Sequence, residues 1–309
     1  MQVVHGYTHV PASARAACVA LGTFDGVHRG HRVLVGEAVR VAKALGRKSA
    51  VMIFEPNPRE FFQPQGEHFH LTPLPRKLEI LEKLGVDIAF VQPFDAALAG
   101  LDAQDFIERV LVAGLGVAHV IIGYDFYFGH KRAGNPECMV EAGREMGFGV
   151  SVMPPVADSG EVFSSSGVRF HLAQGDVKGA AQMLGENWRV SGKVVGGFKR
   201  GTGMGYPTAN VTLPKGTAIG HGIYAVRAHL DGVPHNAAAY LGTRPTFDDG
   251  APVLEVFLLD FEGDLYGRDL EVEFVGFIRH DRKFGSAEEL VAQMDKDVAK
   301  AREMLSGAA

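Results

Sequence analysis

Cysteine is almost missing from this 309-residue chain, which has only Cys18 and Cys138. The two form neither a C-x-x-C pair nor a metal-ligand spacing, so a disulfide scaffold is excluded and a reducing compartment is expected. Both read as small packing residues. Polybasic tracts are also absent: 36 acidic and 31 basic side chains leave a net charge of −5, without the electrostatic footprint that DNA or RNA binding requires. Long apolar runs are lacking as well. The longest uncharged stretch, Val110 to Tyr124, is shorter than the ~18 residues of a membrane span and is broken by Gly114, Gly116 and Gly123. No Lys/Arg-led segment opens the chain, and the apolar stretch Ala16 to Gly22 is too short for a signal sequence. A cytoplasmic protein is therefore expected, with no membrane and no nucleic-acid partner. Internal repeats and low-complexity segments are not visible either.

What the chain has in excess is glycine, 39 residues, in short clusters that mark turns and close backbone approaches. Hydrophobic residues at 46% and charged ones at 22% fit a globular protein, and the length fits two domains. From Ala17 to Met153 short apolar runs alternate with helical periodicity, which predicts βαβ units around a parallel sheet. Strands are predicted at Cys18 to Leu21, Val51 to Phe54, Ile88 to Val91, Val120 to Ile122 and Val150 to Met153, five in a doubly wound sheet. Helical spacing links Leu34, Ala38, Val41 and Leu45, and again Leu74, Leu78, Leu81 and Leu84. Asn135-Pro136 reads as an N-cap opening a helix that ends near Gly147. Two further helices follow Ser164, the second from Asp176 to Gly185.

Beyond Trp188 the pattern turns to β, with strands predicted at Val190 to Val195, around Tyr224 to Leu230, and at Asn236 to Leu241, Val253 to Phe261 and Leu270 to Phe277. Asp231-Gly232 supplies a type I′ hairpin signal. Strands in this number close into a barrel or sandwich. Ser286 and Glu289 form a capping box before an amphipathic helix on Leu290, Met294, Val298, Ala301 and Leu305. The expected division is residues 1–186 and 187–309.

The segment Gly22-Thr23-Phe24-Asp25-Gly26-Val27-His28-Arg29-Gly30-His31 follows the first strand and opens the first helix. Free backbone N–H groups and the helix dipole favour phosphate there. His28 and His31, three residues apart, face the same side, and Gly30 leaves room for close approach to the backbone. Together they can donate to phosphoryl oxygens as charge develops. Two surface histidines flanking a turn is the plain alternative, and a zinc pair is another, although no convincing third and fourth ligand exists. The preceding G-x-F-D-G-V run at a strand-to-helix junction favours a nucleotide site, which takes in Gly22, Phe24, Asp25 and Gly30.

With these residues the chain resembles the nucleotidyltransferase superfamily carrying H-x-G-H, and specifically the prokaryotic bifunctional riboflavin kinase/FMN adenylyltransferases (FAD synthetases). Phe54-Glu55-Pro56-Asn57-Pro58, Gly123-Tyr124-Asp125-Phe126-Tyr127-Phe128-Gly129 and Ser164-Ser165-Ser166-Gly167-Val168-Arg169 resemble further motifs of that family in the expected order. Read alone, Ser164 to Ser166 is a helix cap, Arg169 a solvated helix residue, and Phe126 and Phe128 core. The resemblance implies instead that Ser164, Ser165, Ser166 and Arg169 clamp the leaving pyrophosphate. It also implies that Asn57, Asp125, Phe126 and Phe128 lie near the flavin, where aromatic faces stack on the isoalloxazine.

Gly201-Thr202-Gly203-Met204-Gly205-Tyr206-Pro207-Thr208-Ala209-Asn210 is glycine-rich but lacks a following helix, so it is not a dinucleotide fingerprint. By composition it is a barrel loop. Its Pro-Thr-Ala-Asn end resembles riboflavin kinases, which implies that Gly205, Thr208 and Asn210 meet ATP, and that Thr208 and Asn210 hold Mg²⁺ with its phosphates. Leu241-Gly242-Thr243-Arg244-Pro245-Thr246-Phe247, Glu255 to Phe261 and Asp264 to Gly267 resemble the same kinase. A glutamate in an apolar strand commonly points to solvent. The kinase resemblance makes Glu255 the base for the riboflavin 5′-hydroxyl, a poor nucleophile unaided. Tyr240 stands where the kinase commonly has Asn.

The implied fold is an N-terminal doubly wound α/β nucleotidyltransferase domain followed by an antiparallel β-barrel kinase domain with a terminal helix. The implied activity is phosphorylation of riboflavin to FMN, then adenylyl transfer from ATP to give FAD. Small molecules (ATP, riboflavin, FMN) are the expected partners, with room for weak self-association. Two alternatives remain: a single-activity FAD synthetase with an inactive flavin-binding barrel, and a non-catalytic flavin-binding protein.

Overall fold

In the computed structural model, which describes residues 1–66, 68–196, 206–243 and 252–307, Met1–Gly66 with Thr72–Ser164 form one unit. Glu67–Leu71 with Ser165–Ala309 form a second. The first is built on β1 (Gln2–His5), β2 (Cys18–Leu21), β3 (Ser49–Glu55), β4 (Ile88–Pro93), β5 (His119–Gly123) and β6 (Gly149–Met153). Their order is β1-β4-β3-β2-β5-β6, and every pairing is parallel. Around the sheet run α1 (Arg29–Leu45), α2 (Pro58–Phe62), α3 (Leu74–Lys83), α4 (Ala96–Ala99), α5 (Ala103–Asp105, continuing as π-helical turns over Phe106–Leu115) and α6 (Pro136–Met146).

Successive strand residues serve opposite faces. Val19 and Leu21 pack with Phe106, Ile107 and Val110, while Cys18 and Ala20 pack with Leu34, Val35 and Ala38 of α1. Helices on both faces explain why the central strands read as unbroken apolar runs. The predicted five strands are present, and β1 is a sixth. It lies at the sheet edge with only Val4 buried among its four residues, so no apolar period announces it. Asn135 caps α6 as expected, its Oδ1 accepting the Cys138 N–H at 2.9 Å, and Gly147 ends that helix at φ 81°. The strand order reverses between β2 and β5, which puts a crevice at the C-terminal end of β2.

The second unit opens with α7 (Ser165–Ala173) and α8 (Val177–Leu184) and continues into β9 (Arg189–Val195), β10 (Ala209–Val211), β11 (Gly222–Leu230), β12 (Val233–Thr243), β13 (Pro252–Leu258) and β14 (Asp269–Arg279). These strands close a barrel in the order β10-β13-β12-β11-β14-β9, antiparallel throughout. Asp231 and Gly232 both take positive φ, 50° and 81°, as a type I′ hairpin demands. Helices α7 and α8 pack with the barrel that follows them. The N–H of Gly220 donates to Leu172 O at 2.8 Å, and a Cβ at Gly220 would lie 2.7 Å from the Gly175 nitrogen.

Helix α9 (Ala287–Ser306) closes the chain's described part, with the Ser286 hydroxyl accepting the Glu289 N–H at 3.2 Å. Its Ala301 and Leu305 pack on Ala225, Ala238 and Val275 of the barrel. Its apolar stripe also carries Asp297, only 5% exposed. Arg279 grips that carboxylate, with Nε at 2.9 and 3.1 Å from the two oxygens and a terminal nitrogen at 2.7 Å. Removing one member of a buried pair strands the other. Asp297→Ala is therefore expected to cost about 3–5 kcal/mol of unfolding free energy, measured by urea denaturation of the full chain.

Candidate active sites

In the first unit the chain leaves β2 at Gly22 and must turn sharply to start α1. Phe24 and Val27 both adopt left-handed backbone, φ 49° and 43°, with Gly26 at 86° between them. Left-handed geometry is costly for a β-branched residue. Complete burial of the Phe24 and Val27 side chains holds it in place. Asp25, also buried, accepts the Thr72 N–H at 3.2 Å.

His28 is the N-cap of α1. Its Nδ1 accepts the His31 N–H at 3.4 Å, a bond that assigns the proton of the neutral ring to Nε2 and leaves that N–H as a donor. The His28 and His31 rings stack with centroids 3.7 Å apart and planes 25° from parallel, so the expected shared face is real. Phe24 meets His31 edge-on at 5.3 Å. A Cβ at Gly30 would sit 3.1 Å from the His28 ring and 3.3 Å from Phe163 O. The space that the sequence suggested for phosphate at Gly30 is thus used by the folded-back imidazole. His31 Nδ1 is sealed from solvent with no hydrogen-bond partner among the described residues.

Both histidines are driven toward the neutral form. Burial pushes His28 down to about 4, against the opposing pull of Asp25. Burial pushes His31 well below its ordinary value, helped by His28 and Lys77. Lys77 is a residue that the sequence reading did not single out. It lies on α3, is 2% exposed, and its Nζ donates to the Thr23 carbonyl at 2.9 Å. The signal was available, since Lys77 interrupts the apolar face running through Leu74, Leu78 and Leu81. Among the described residues no group of three His, Cys, Asp or Glu side chains could hold a metal ion, so the zinc alternative gains no support.

The expected flavin residues are spread over two elements of the same unit. Asn57 caps α2, its Oδ1 accepting the Arg59 N–H at 3.0 Å. Asp125 is exposed on the loop after β5 and Phe126 is half-buried. Phe126 stacks on Phe128 at 5.7 Å. Phe128 is itself 6% exposed and lies against Phe106 at 5.5 Å, so the core takes its ring and Phe126 is the more accessible aromatic. Ser164 ends the first unit.

In the second unit Ser165 and the exposed Ser166 open α7. Arg169 donates to Phe69 O at 2.7 Å and to Ser165 O at 3.3 Å, so its guanidinium is oriented by backbone carbonyls rather than solvated. In the barrel, Asn210 on β10 stands opposite Glu255 on β13, which stands opposite Tyr240 on β12. The three share one row across the sheet. The Thr208 hydroxyl approaches the Glu255 carboxylate at 3.5 Å, and Asn210 is buried. Strand β10, three residues long, was missed in the sequence because a segment that short shows no period. Tyr240 donates to Asp281 at 3.1 Å. Gly205 lies outside the described residues.

A family model described as FAD synthetase matches residues 10–167, and one described as riboflavin kinase matches residues 184–305. The protein named bifunctional riboflavin kinase/FMN adenylyltransferase from Pseudomonas fluorescens is 39% identical, the alignment covering 100% of this chain and 99% of that one. The proteins of the same name from Haemophilus influenzae and Escherichia coli K12 are 37% and 38% identical, over 98% of this chain in each case and 98% and 97% of theirs. A solved structure described as a macrolide-efflux protein from Streptococcus pneumoniae superposes with a TM-score of 0.87 at 28% identity, covering 98% of this chain and 99% of that one. No helix among the described residues is long and apolar enough to cross a membrane. With both family models matched in order along one chain and relatives aligned over its whole length, the protein belongs to the bifunctional riboflavin kinase/FMN adenylyltransferase family, its FAD synthetase part ahead of its riboflavin kinase part.

Proposed function

We propose that His28 and His31 act on the ATP phosphates in adenylyl transfer, and that Glu255, Thr208 and Asn210 carry out riboflavin phosphorylation. As a member of its family the chain is an enzyme that makes FMN from riboflavin and FAD from FMN. The observation that supports the residue assignment is the division of chemistry between the units. One offers stacked neutral imidazoles on a helix N-terminus, the other a carboxylate beside a hydroxyl and an amide.

Adenylyl transfer joins an FMN phosphate oxygen to the α-phosphorus of ATP and breaks the bond to the β-phosphoryl group, releasing pyrophosphate. The nucleophile arrives anionic, so no base is needed. Negative charge on the phosphoryl oxygens is what needs meeting, and the first-turn N–H groups of α1 together with the imidazole N–H donors do so. Gly22, Phe24, Asp25 and Gly30 shape the loop. Asn57, Asp125 and Phe126 face the flavin, with Phe128 backing Phe126. Ser164 to Ser166 and Arg169 serve the pyrophosphate. In the kinase reaction the riboflavin 5′-hydroxyl loses its proton to Glu255 as its oxygen bonds to the γ-phosphorus of ATP, while the bond from that phosphorus to the β–γ bridging oxygen breaks and ADP leaves.

Thr208, Asn210 and Glu255 form a hard-oxygen set with a single carboxylate, which fits Mg²⁺ only when phosphate oxygens complete the coordination. Thr208 and Asn210 would hold the ion, which would supply charge neutralisation on the phosphates. Functional boundaries at residues 1–186 and 187–309 and a cytoplasmic setting complete the assignment.

His28→Gln or His31→Gln is expected to lower FAD formation from FMN by about 10²–10³ in turnover and to leave riboflavin phosphorylation intact. Glu255→Gln should do the reverse, lowering FMN formation by about 10²–10⁴ with FAD formation from supplied FMN unchanged. Both are checked by resolving FMN and FAD over time. The pH dependence of stability follows from His28. Its folded value of about 4 lies below the ordinary 6.5, so between those values the unfolded chain binds the proton first. The stabilisation is complete above pH 6.5 and is lost as pH falls toward 4. Unfolding free energies across that window should fall for the natural chain and fall less for His28→Gln.

A further inference from the structure

Lys77 occupies a core position on α3, where the helical repeat asks for hydrocarbon, and is 2% exposed. Lysine almost never reaches that depth unless its charge is met. Its ammonium has three hydrogens to place. Among the described residues the acceptor it has is the Thr23 carbonyl, 2.9 Å away and 54 residues earlier in the chain. A single neutral carbonyl offsets only part of what burying an ammonium costs. Burial pushes the Lys77 ammonium below the ordinary lysine value, opposed through space by the carboxylates of Asp25 on the loop, Glu55 on β3 and Glu60 on α2, and Lys77 in turn acts on His31. A methionine would fill the same volume with no desolvation cost. The loop that Lys77 fastens is the one whose left-handed turns at Phe24 and Val27 set the start of α1. Burial leaves both imidazoles of that loop neutral at ordinary pH.

We propose that Lys77 is a positioning residue for adenylyl transfer: by holding the Thr23 carbonyl it keeps the Gly22–Val27 turn in its phosphate-binding shape. From beneath the turn it supplies the fixed positive charge that the nucleotide triphosphate meets there. The inference rests on the assignment of His28 and His31 to the ATP phosphates. A triphosphate entering a site whose imidazoles are uncharged finds in Lys77 a buried cation, little screened by solvent.

The test uses the full-length chain with Lys77→Met and Lys77→Arg. Lys77→Met should raise the KM for ATP in FAD formation at least tenfold and lower kcat, with riboflavin phosphorylation by the same preparation unchanged. Lys77→Arg, which keeps the charge, should recover most of the loss. Removing the cation also makes His31 easier to protonate, with Asp25, Glu55, Glu60 and His28 still in place. The acid limb of the FAD-formation profile should therefore move to higher pH in Lys77→Met and stay put in Lys77→Arg, a shift that mere loop support would not produce. Natural KM and an unmoved acid limb in Lys77→Met overturn the proposal. Equal impairment of the two variants also overturns it, since shape and not charge would then matter.

Should Lys77→Met fail to fold, the natural chain decides. The ¹⁵N-labelled Nζ resonance of Lys77, assigned by its loss in Lys77→Arg, must shift on saturation with the α,β-methylene analogue of ATP, and an unmoved resonance overturns the proposal. His31→Gln run in parallel separates the two levels. Undiminished FAD formation there removes the histidine assignment, whereas an inactive His31→Gln beside a fully active Lys77→Met removes only the role of Lys77.

Discussion

The turn between β2 and α1 depends on one constraint, the complete burial of Phe24 and Val27 with their backbones in the left-handed region. A β-branched residue adopts that conformation only where its surroundings over-determine it. The surroundings here are the core that Phe24 and Val27 share with α1, α3 and strands β2 and β3. Core packing therefore fixes where His28 begins the helix, and His28 in turn fixes His31 through the capping bond and the ring stack. The Thr23 carbonyl held by Lys77 fastens the same turn from its other side. The geometry of the histidine pair is thus inherited from hydrophobic burial a few residues away.

On the proposed assignment, the two units solve opposite electrostatic problems. A phosphate nucleophile is already charged, so its site needs donors and no base. A primary alcohol is neutral, so its site needs an acceptor for a proton. In the first unit burial holds both imidazoles neutral, so each keeps one ring N–H to donate. The second keeps Glu255 half-buried in a row with Asn210 and Tyr240, where strand register and not helix geometry sets the spacing.

Much of this was legible in the sequence, because strongly periodic segments and cap residues report on local physics. Asn135, Asp176 and Ser286 each cap the helix expected of them, and Asp231-Gly232 makes the turn that its φ requirements dictate. The shared face of His28 and His31 was readable from their spacing, whereas the choice of a nucleotide site needed the G-x-F-D-G-V run before them. Less visible were features set by distant partners. Strand β1 is an exposed edge, and β10 is three residues held by β9 and β13. Lys77 and Asp297 are buried charges, whose acceptable burial depends on Thr23 and Arg279 elsewhere in the chain. Composition changes where the barrel strands begin, while packing changes earlier, at α7, since those helices contact the barrel through Gly175 and Gly220. Tyr240 meets Asp281 through a segment whose course no local pattern encodes.

The order in which the strands pair bears on synthesis. Strand β6 ends at Met153, so every strand of the parallel sheet exists while the barrel is still being made. Strand β9 has no such luck: its neighbours are β10 and β14, and β14 ends only at Arg279. At about 5–20 residues per second on the ribosome, β9 waits several seconds with one edge unpaired. The row of Asn210, Glu255 and Tyr240 needs β13 and so is complete only late in that interval, and the barrel around it closes only with the arrival of β14. For a nascent chain, the vulnerable period belongs to the second unit, and a chaperone that shields exposed strand edges would find its substrate there.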